Sequence, residues 1–92
     1  MSITHVPGKN EGEIMLYALS TCPWCHKTKD LLSKLGVEYS FIDVNLAKGQ
    51  EFEDAMKTVL KLDPGFSFPV LIIKGRVIVG YREKEIREEL KQ

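Results

Sequence analysis

The first residues of the chain, 1–13, are polar and aperiodic and include Pro7, Gly8 and Gly12. They read as a mobile or loosely docked arm. An unbroken apolar run follows at residues 14–19, bounded by polar positions. A run of that kind predicts a strand buried on both faces. Ser20, Thr21 and Cys22 make the turn after it, and Pro23 suits the first position of a helix, where its missing N–H is not needed. Cys25, Thr28, Leu31, Leu32 and Leu35 then recur at helical spacing, with Lys27, Lys29, Asp30 and Lys34 mostly off the stripe. Gly36 is a natural helix stop. β-Branched and aromatic residues over 37–44, interleaved with Glu38 and Ser40, predict a second strand. Phe52, Ala55, Met56, Val59 and Leu60 outline the apolar face of a second helix at 50–62, which Asp63-Pro64-Gly65 ends. Residues 66–68 lead as a loop to Pro69. Strands at 70–73 and 76–79, joined by Lys74-Gly75, read as a hairpin. A helix at 83–91, with Ile86 and Leu90 as its apolar stripe, closes the chain.

The order is β-α-β-α-β-β-α. Its opening strand–helix–strand predicts a right-handed parallel crossover, and the hairpin must add antiparallel strands. A four-stranded mixed sheet flanked by three helices accounts for every element, making an α/β domain over residues 14–92 preceded by the arm.

Composition narrows the function. Of 92 residues 43% are hydrophobic and 28% charged, the balance of a folded domain rather than a disordered one. Thirteen basic residues balance thirteen acidic ones, so nothing favours nucleic acid or an anionic membrane surface as partner. The longest apolar run is far too short to span a bilayer, and the amino terminus lacks the apolar core of a secretory signal. The expectation is a cytoplasmic monomer. The two cysteines, Cys22 and Cys25, lie so close in sequence that a bridge between them would close a very small loop and stabilise the fold little. If they pair, the pairing is chemistry.

Cys22-Pro23-Trp24-Cys25 is the most informative segment. A C-x-x-C at a strand-to-helix junction is a redox signature. Unpaired backbone N–H groups and the helix dipole at Cys22 favour negative charge, so a thiolate is expected there. Cys25 falls one turn later, facing back toward Cys22 and more buried. These positions assign Cys22 as the attacking sulfur and Cys25 as the one that resolves the mixed disulfide. Pro23 starts the helix, and Trp24 offers an apolar surface beside the attacking sulfur. Pro69 precedes the apolar strand 70–73, a place that suits a residue unable to donate to a sheet. A cis Phe68–Pro69 bond is expected there, presenting backbone for an extended substrate segment.

Cys22-Pro23-Trp24-Cys25 after an apolar strand, Phe68-Pro69-Val70 before a hairpin, and Gly80-Tyr81 after it together resemble the glutaredoxin family over residues 14–91. The resemblance implies the thioredoxin fold and a redox-active disulfide between Cys22 and Cys25. It implies reduction of protein or glutathione mixed disulfides with no bound cofactor. Pro23, Trp24, Phe68, Pro69, Val70, Gly80 and Tyr81 would contact substrate, and glutathione or thioredoxin reductase would supply electrons. Three positions depart from glutathione-using members. Leu19 stands where they carry a basic residue, Ser67-Phe68-Pro69 replaces Thr-Val-Pro, and Gly80-Tyr81-Arg82-Glu83 replaces a double glycine followed by Asp. That last segment, with His26-Lys27-Thr28-Lys29, is similar to the redoxins fed by thioredoxin reductase that serve ribonucleotide reductase. Other readings use the same cysteines. One is an iron–sulfur cluster shared between subunits through Cys22. Another is haem attachment, because Cys22-Pro23-Trp24-Cys25-His26 matches C-x-x-C-H and Met15 or Met56 could serve as a distal ligand. A zinc site is disfavoured, because His5 lies in the arm.

Overall fold

A computed structural model describes residues 3–63, 65 and 67–90; Pro64, Phe66 and Lys91, assigned above to a turn, a loop and the last helix, lie outside them. The elements are β1 (Ile3–Val6), β2 (Ile14–Ala18), α1 (Pro23–Lys34), β3 (Tyr39–Asp43), a 3-10 turn (Val44–Leu46), α2 (Gly49–Leu62), β4 (Val70–Ile73), β5 (Arg76–Val79) and α3 (Glu83–Leu90). The strands form one sheet in the order β1-β3-β2-β4-β5. β2 and β3 run parallel, as the crossover through α1 requires, with Leu16 opposite Phe41. β4 joins β2 antiparallel with Leu16 opposite Leu71, and β5 returns beside β4. This is an α/β thioredoxin-like fold. Among the described residues no helix is long and apolar enough to cross a membrane.

The sheet has five strands, not the expected four. Residues 3–6, assigned above to the polar arm, pair antiparallel with β3, His5 lying opposite Ser40. Backbone does much of the holding, and the His5 ring adds contacts to Ser40 Oγ at 3.2 Å and Glu38 Oε2 at 2.8 Å. Lys9 N–H donates to the Gly36 carbonyl at 2.8 Å, and Glu38 N–H donates to the Lys9 carbonyl at 2.8 Å. Gly8 passes so close to the 36–37 backbone that a Cβ would sit 2.7 Å from the Val37 carbonyl carbon. A polar stretch can dock this way because ladder hydrogen bonds ask nothing of side-chain hydropathy.

The core lies between the sheet and the stripes of α1 and α3. Leu16, Leu32, Leu71, Ile73 and Ile86 are fully buried, each worth about 2–3 kcal/mol of transfer free energy. The α1 stripe buries Cys25, Thr28, Leu31 and Leu32, and Leu35 is half-buried. A smaller cluster under α2 holds Ile42, Val44, Ala47 and Ala55. Two expectations are corrected here. β2 alternates in burial, with Met15 and Tyr17 only partly covered, because the α2 side of the sheet is thinly packed. On α2 only Ala55 and Val59 are buried, while Phe52 and Leu60 are 40% and 49% exposed. The helix meets the sheet through a narrower stripe than its apolar pattern. The hairpin turn Lys74-Gly75 has positive φ at both residues (51° and 86°), which matches the twist of the flanking strands.

Candidate active site

Cys22 is placed by the turn that links β2 to α1. Its N–H donates to the Leu19 carbonyl at 3.1 Å. One residue after Leu19, Ser20 is clamped from three directions. Its N–H donates to Asn45 Oδ1 (2.8 Å), its hydroxyl accepts from Asn45 Nδ2 (2.7 Å), and its carbonyl accepts from His26 Nε2 (2.7 Å). Cys22 is the N-cap of α1, with Pro23 at the first helical position. Its Sγ takes the place that a serine or aspartate oxygen takes in ordinary caps, accepting from Cys25 N–H at 3.3 Å.

The two sulfurs differ in setting. Both are free thiols, Cys22 partly exposed and Cys25 fully buried. Burial pushes the Cys25 thiol up to about 12, and the Cys22 sulfur beside it adds to the effect. Cys25 therefore stays protonated at neutral pH, beneath a partly exposed Cys22 whose sulfur accepts from its N–H.

Around Cys22 the fold assembles most of the residues singled out in the sequence. Trp24, Phe68, Gly80 and Tyr81 line a shallow cleft of about 270 Å³. Trp24 is 54% exposed and stacks on Tyr81 with ring centroids 5.9 Å apart. Lys27 Nζ lies 4.6 Å from the Trp24 ring centroid. Cys22, Phe68 and Tyr81 all pack against the main core. Gly80 N–H donates to the Pro69 carbonyl at 2.8 Å, tying the two distant segments together. The Phe68–Pro69 bond is cis, in line with the expectation, and Pro69 is buried. Pro23 is exposed beside Cys22.

Val70 stands apart from that set. It is fully buried, paired with Tyr17 on one side and Val79 on the other, so its side chain belongs to the core and not to a substrate surface. Lys29, one of the charges set off the apolar stripe of the first helix, is likewise turned inward. It pairs with Asp43 at 2.9 Å and lies 4.1 Å from the Phe41 ring centroid. His26, the ligand candidate of the C-x-x-C-H pattern, turns its Nε2 to the Ser20 carbonyl. Among the described residues no three His, Cys, Asp or Glu side chains gather where they could hold a metal ion. The clamp through Ser20 and Asn45 carried no signal in the sequence, because its partners are far apart in the chain and each residue alone is an ordinary turn former.

A surface cysteine and a buried one share the first turn of a helix, at the end of a central strand. That arrangement defines a thiol–disulfide oxidoreductase working through a C-x-x-C pair. Comparison with known proteins narrows the class. The glutaredoxin family profile matches residues 14–78, and the chain belongs to the glutaredoxin family. It is similar to a glutaredoxin from Methanosarcina mazei, with 44% identity and a TM-score of 0.89, covering 100% of this chain and 90% of that one. Methanoredoxin from Methanosarcina acetivorans is 44% identical with a TM-score of 0.87, covering 92% of this chain and 90% of that one. A glutaredoxin-like 8.6 kDa protein of a rubredoxin operon in Clostridium pasteurianum is 37% identical over 73 residues, 79% of this chain and 91% of the relative.

Proposed function

We propose that the protein reduces disulfides of other proteins by a dithiol mechanism, with Cys22 attacking and Cys25 resolving. The observation that carries this reading is the contrast between the two sulfurs. Cys22 is accessible at the helix start and receives the Cys25 N–H, while Cys25 is sealed beneath it as a thiol.

The steps follow from that geometry. Cys22 thiolate attacks one sulfur of the substrate disulfide, and the substrate S–S bond breaks. The departing sulfur leaves as a thiolate and takes up a proton. Cys25 then gives up its proton and attacks Cys22 Sγ, which releases the second substrate thiol. Two electrons pass from the cysteine pair to the substrate, and the protein is left with a Cys22–Cys25 disulfide. Phe68, Gly80 and Tyr81, with Trp24, provide the surface on which the substrate segment lies. No bound cofactor is needed beyond the two sulfurs.

A reductase protein of the thioredoxin-reductase kind, rather than glutathione, re-reduces the pair in this reading. Two features support it. Leu19 packs into the cluster under α2, so the position that carries a cation in glutathione-using relatives is apolar. After Gly80 the chain presents Tyr81 and Arg82, whose Nε donates to the Val79 carbonyl at 3.1 Å. Insulin reduction with thioredoxin reductase, run beside the same assay with glutathione and its reductase, tests the proposal. Turnover is expected with the first donor and not the second. Cys22→Ser abolishes turnover, and Cys25→Ser accumulates mixed disulfides. Insulin reduction retained by Cys22→Ser contradicts the assignment of roles.

A further inference from the structure

We propose that the surface beside Tyr81 recognises an acidic segment of the protein substrate, with Lys27 and Lys34 as the residues that read it; this rests on the dithiol reading above. A second cleft, of about 300 Å³, is lined by Lys27, Lys34, Tyr81 and Arg87 together with Asp30 and Glu83. It meets the aromatic cleft at Tyr81, which lines both. A chain crossing Trp24 and Phe68 toward α3 would therefore pass from an apolar surface onto a charged one.

The charge balance of that surface is positive. Glu83 is occupied within the protein, accepting from Arg87 Nε at 2.9 Å and from Tyr81 Oη at 3.4 Å. That pair cancels Arg87 against Glu83. Two lysines then face one aspartate, and among the described residues neither Lys27 nor Lys34 has a carboxylate within ion-pair distance, in contrast to Lys29 and Arg76; Lys34 acts on Glu83 only at longer range. Lys27 is instead poised 4.6 Å from the Trp24 ring centroid, where a docked segment would shield it from water and strengthen its field. The single carboxylate of Asp30 does not neutralise the pair.

Helix geometry sets the pattern of charge the segment should carry. Lys27 and Lys34 lie two turns apart on α1, about 10 Å along its axis. An extended chain covers that distance in about three residues. Lys27 is also about 7–8 Å along the axis from Cys22. The preferred segment thus has one acidic residue about two to four positions from its disulfide cysteine and a second about three positions further on. Such rim charges act mainly on the association rate, and screening by salt weakens them.

Two peptide disulfides test this. One carries Glu at the two positions and the other carries Gln, and kcat/KM is measured for both at low ionic strength. The wild-type protein should favour the Glu peptide about fivefold to tenfold, the sum expected of two rim pairs, and lose most of that preference in about 0.5 M salt. Lys27→Glu/Lys34→Glu should bring the Glu-to-Gln ratio to one or below. Lys57→Glu/Lys61→Glu, an equal charge change on α2 away from the cleft, should keep it. Equal kcat/KM for the two peptides with wild-type protein, or an unchanged ratio in the double variant, overturns the proposal while leaving the dithiol reading intact. Failure of the wild-type protein to reduce either peptide, or a small neutral disulfide run beside them, overturns both.

Discussion

Raising the pH past the ordinary thiol range measures how well the fold shelters Cys25. Burial and the Cys22 sulfur hold this thiol at about 12, against an ordinary value of 9.0. Between those values the unfolded chain releases the Cys25 proton and the folded chain keeps it. The stabilising contribution is thus fully present below about pH 9 and is lost as pH rises toward 12. At 1.36 kcal/mol per unit the whole loss comes to about 4 kcal/mol. At about pH 10.5, where only the unfolded thiol has ionised, it comes to about 2 kcal/mol. The assay is urea unfolding of the wild-type protein and of Cys25→Ala, both kept reduced with a phosphine, at about pH 8 and about pH 10.5. Tyr39, which burial also raises, titrates in both proteins and cancels in the comparison. The wild-type protein should lose about 2 kcal/mol more than the variant over that interval. Parallel losses would show that the folded chain releases the Cys25 proton as readily as the unfolded one, and the argument for a sealed resolving thiol would fail.

Other expectations concern the frame that holds the site. Leu32→Ala, at a fully buried position of α1, should cost about 2–5 kcal/mol in chemical denaturation. Lys29→Met should cost about 1–3 kcal/mol by leaving the Asp43 carboxylate half-sunk and unpaired, and adding Asp43→Asn should recover part of it in a double-mutant cycle. Asn45→Ala removes two of the three hydrogen bonds that clamp Ser20 and should lower stability by about 1–2 kcal/mol. It should also slow alkylation of Cys22 relative to the wild-type protein, as read by mass spectrometry.

Much of this architecture is legible in residue order because it rests on local chemistry. Pro23 after Cys22 marks the start of α1, and the Lys74-Gly75 turn marks the hairpin to the residue. The cysteine spacing at that helix start points to the site without any tertiary information. What escapes is what depends on partners far along the chain. β1 is invisible to hydropathy because ladder hydrogen bonds and the polar contacts of the His5 ring with Ser40 and Glu38 hold it. Phe52 and Leu60 share the helical period of Ala55 and Val59, yet only the latter two face packed neighbours. Val70 and Lys29 sit beside motif residues in sequence, but the sheet buries the first and Asp43 draws in the second. The Asn45–Ser20 clamp joins two polar residues 25 positions apart.

The inequality of the two sulfurs is tested most directly by mapping where iodoacetamide reacts. Fully reduced protein, treated at neutral pH and digested, should carry the label on Cys22, with Cys25 unmodified until the chain is unfolded. Label on Cys25 as early as on Cys22, or in its place, would contradict the account.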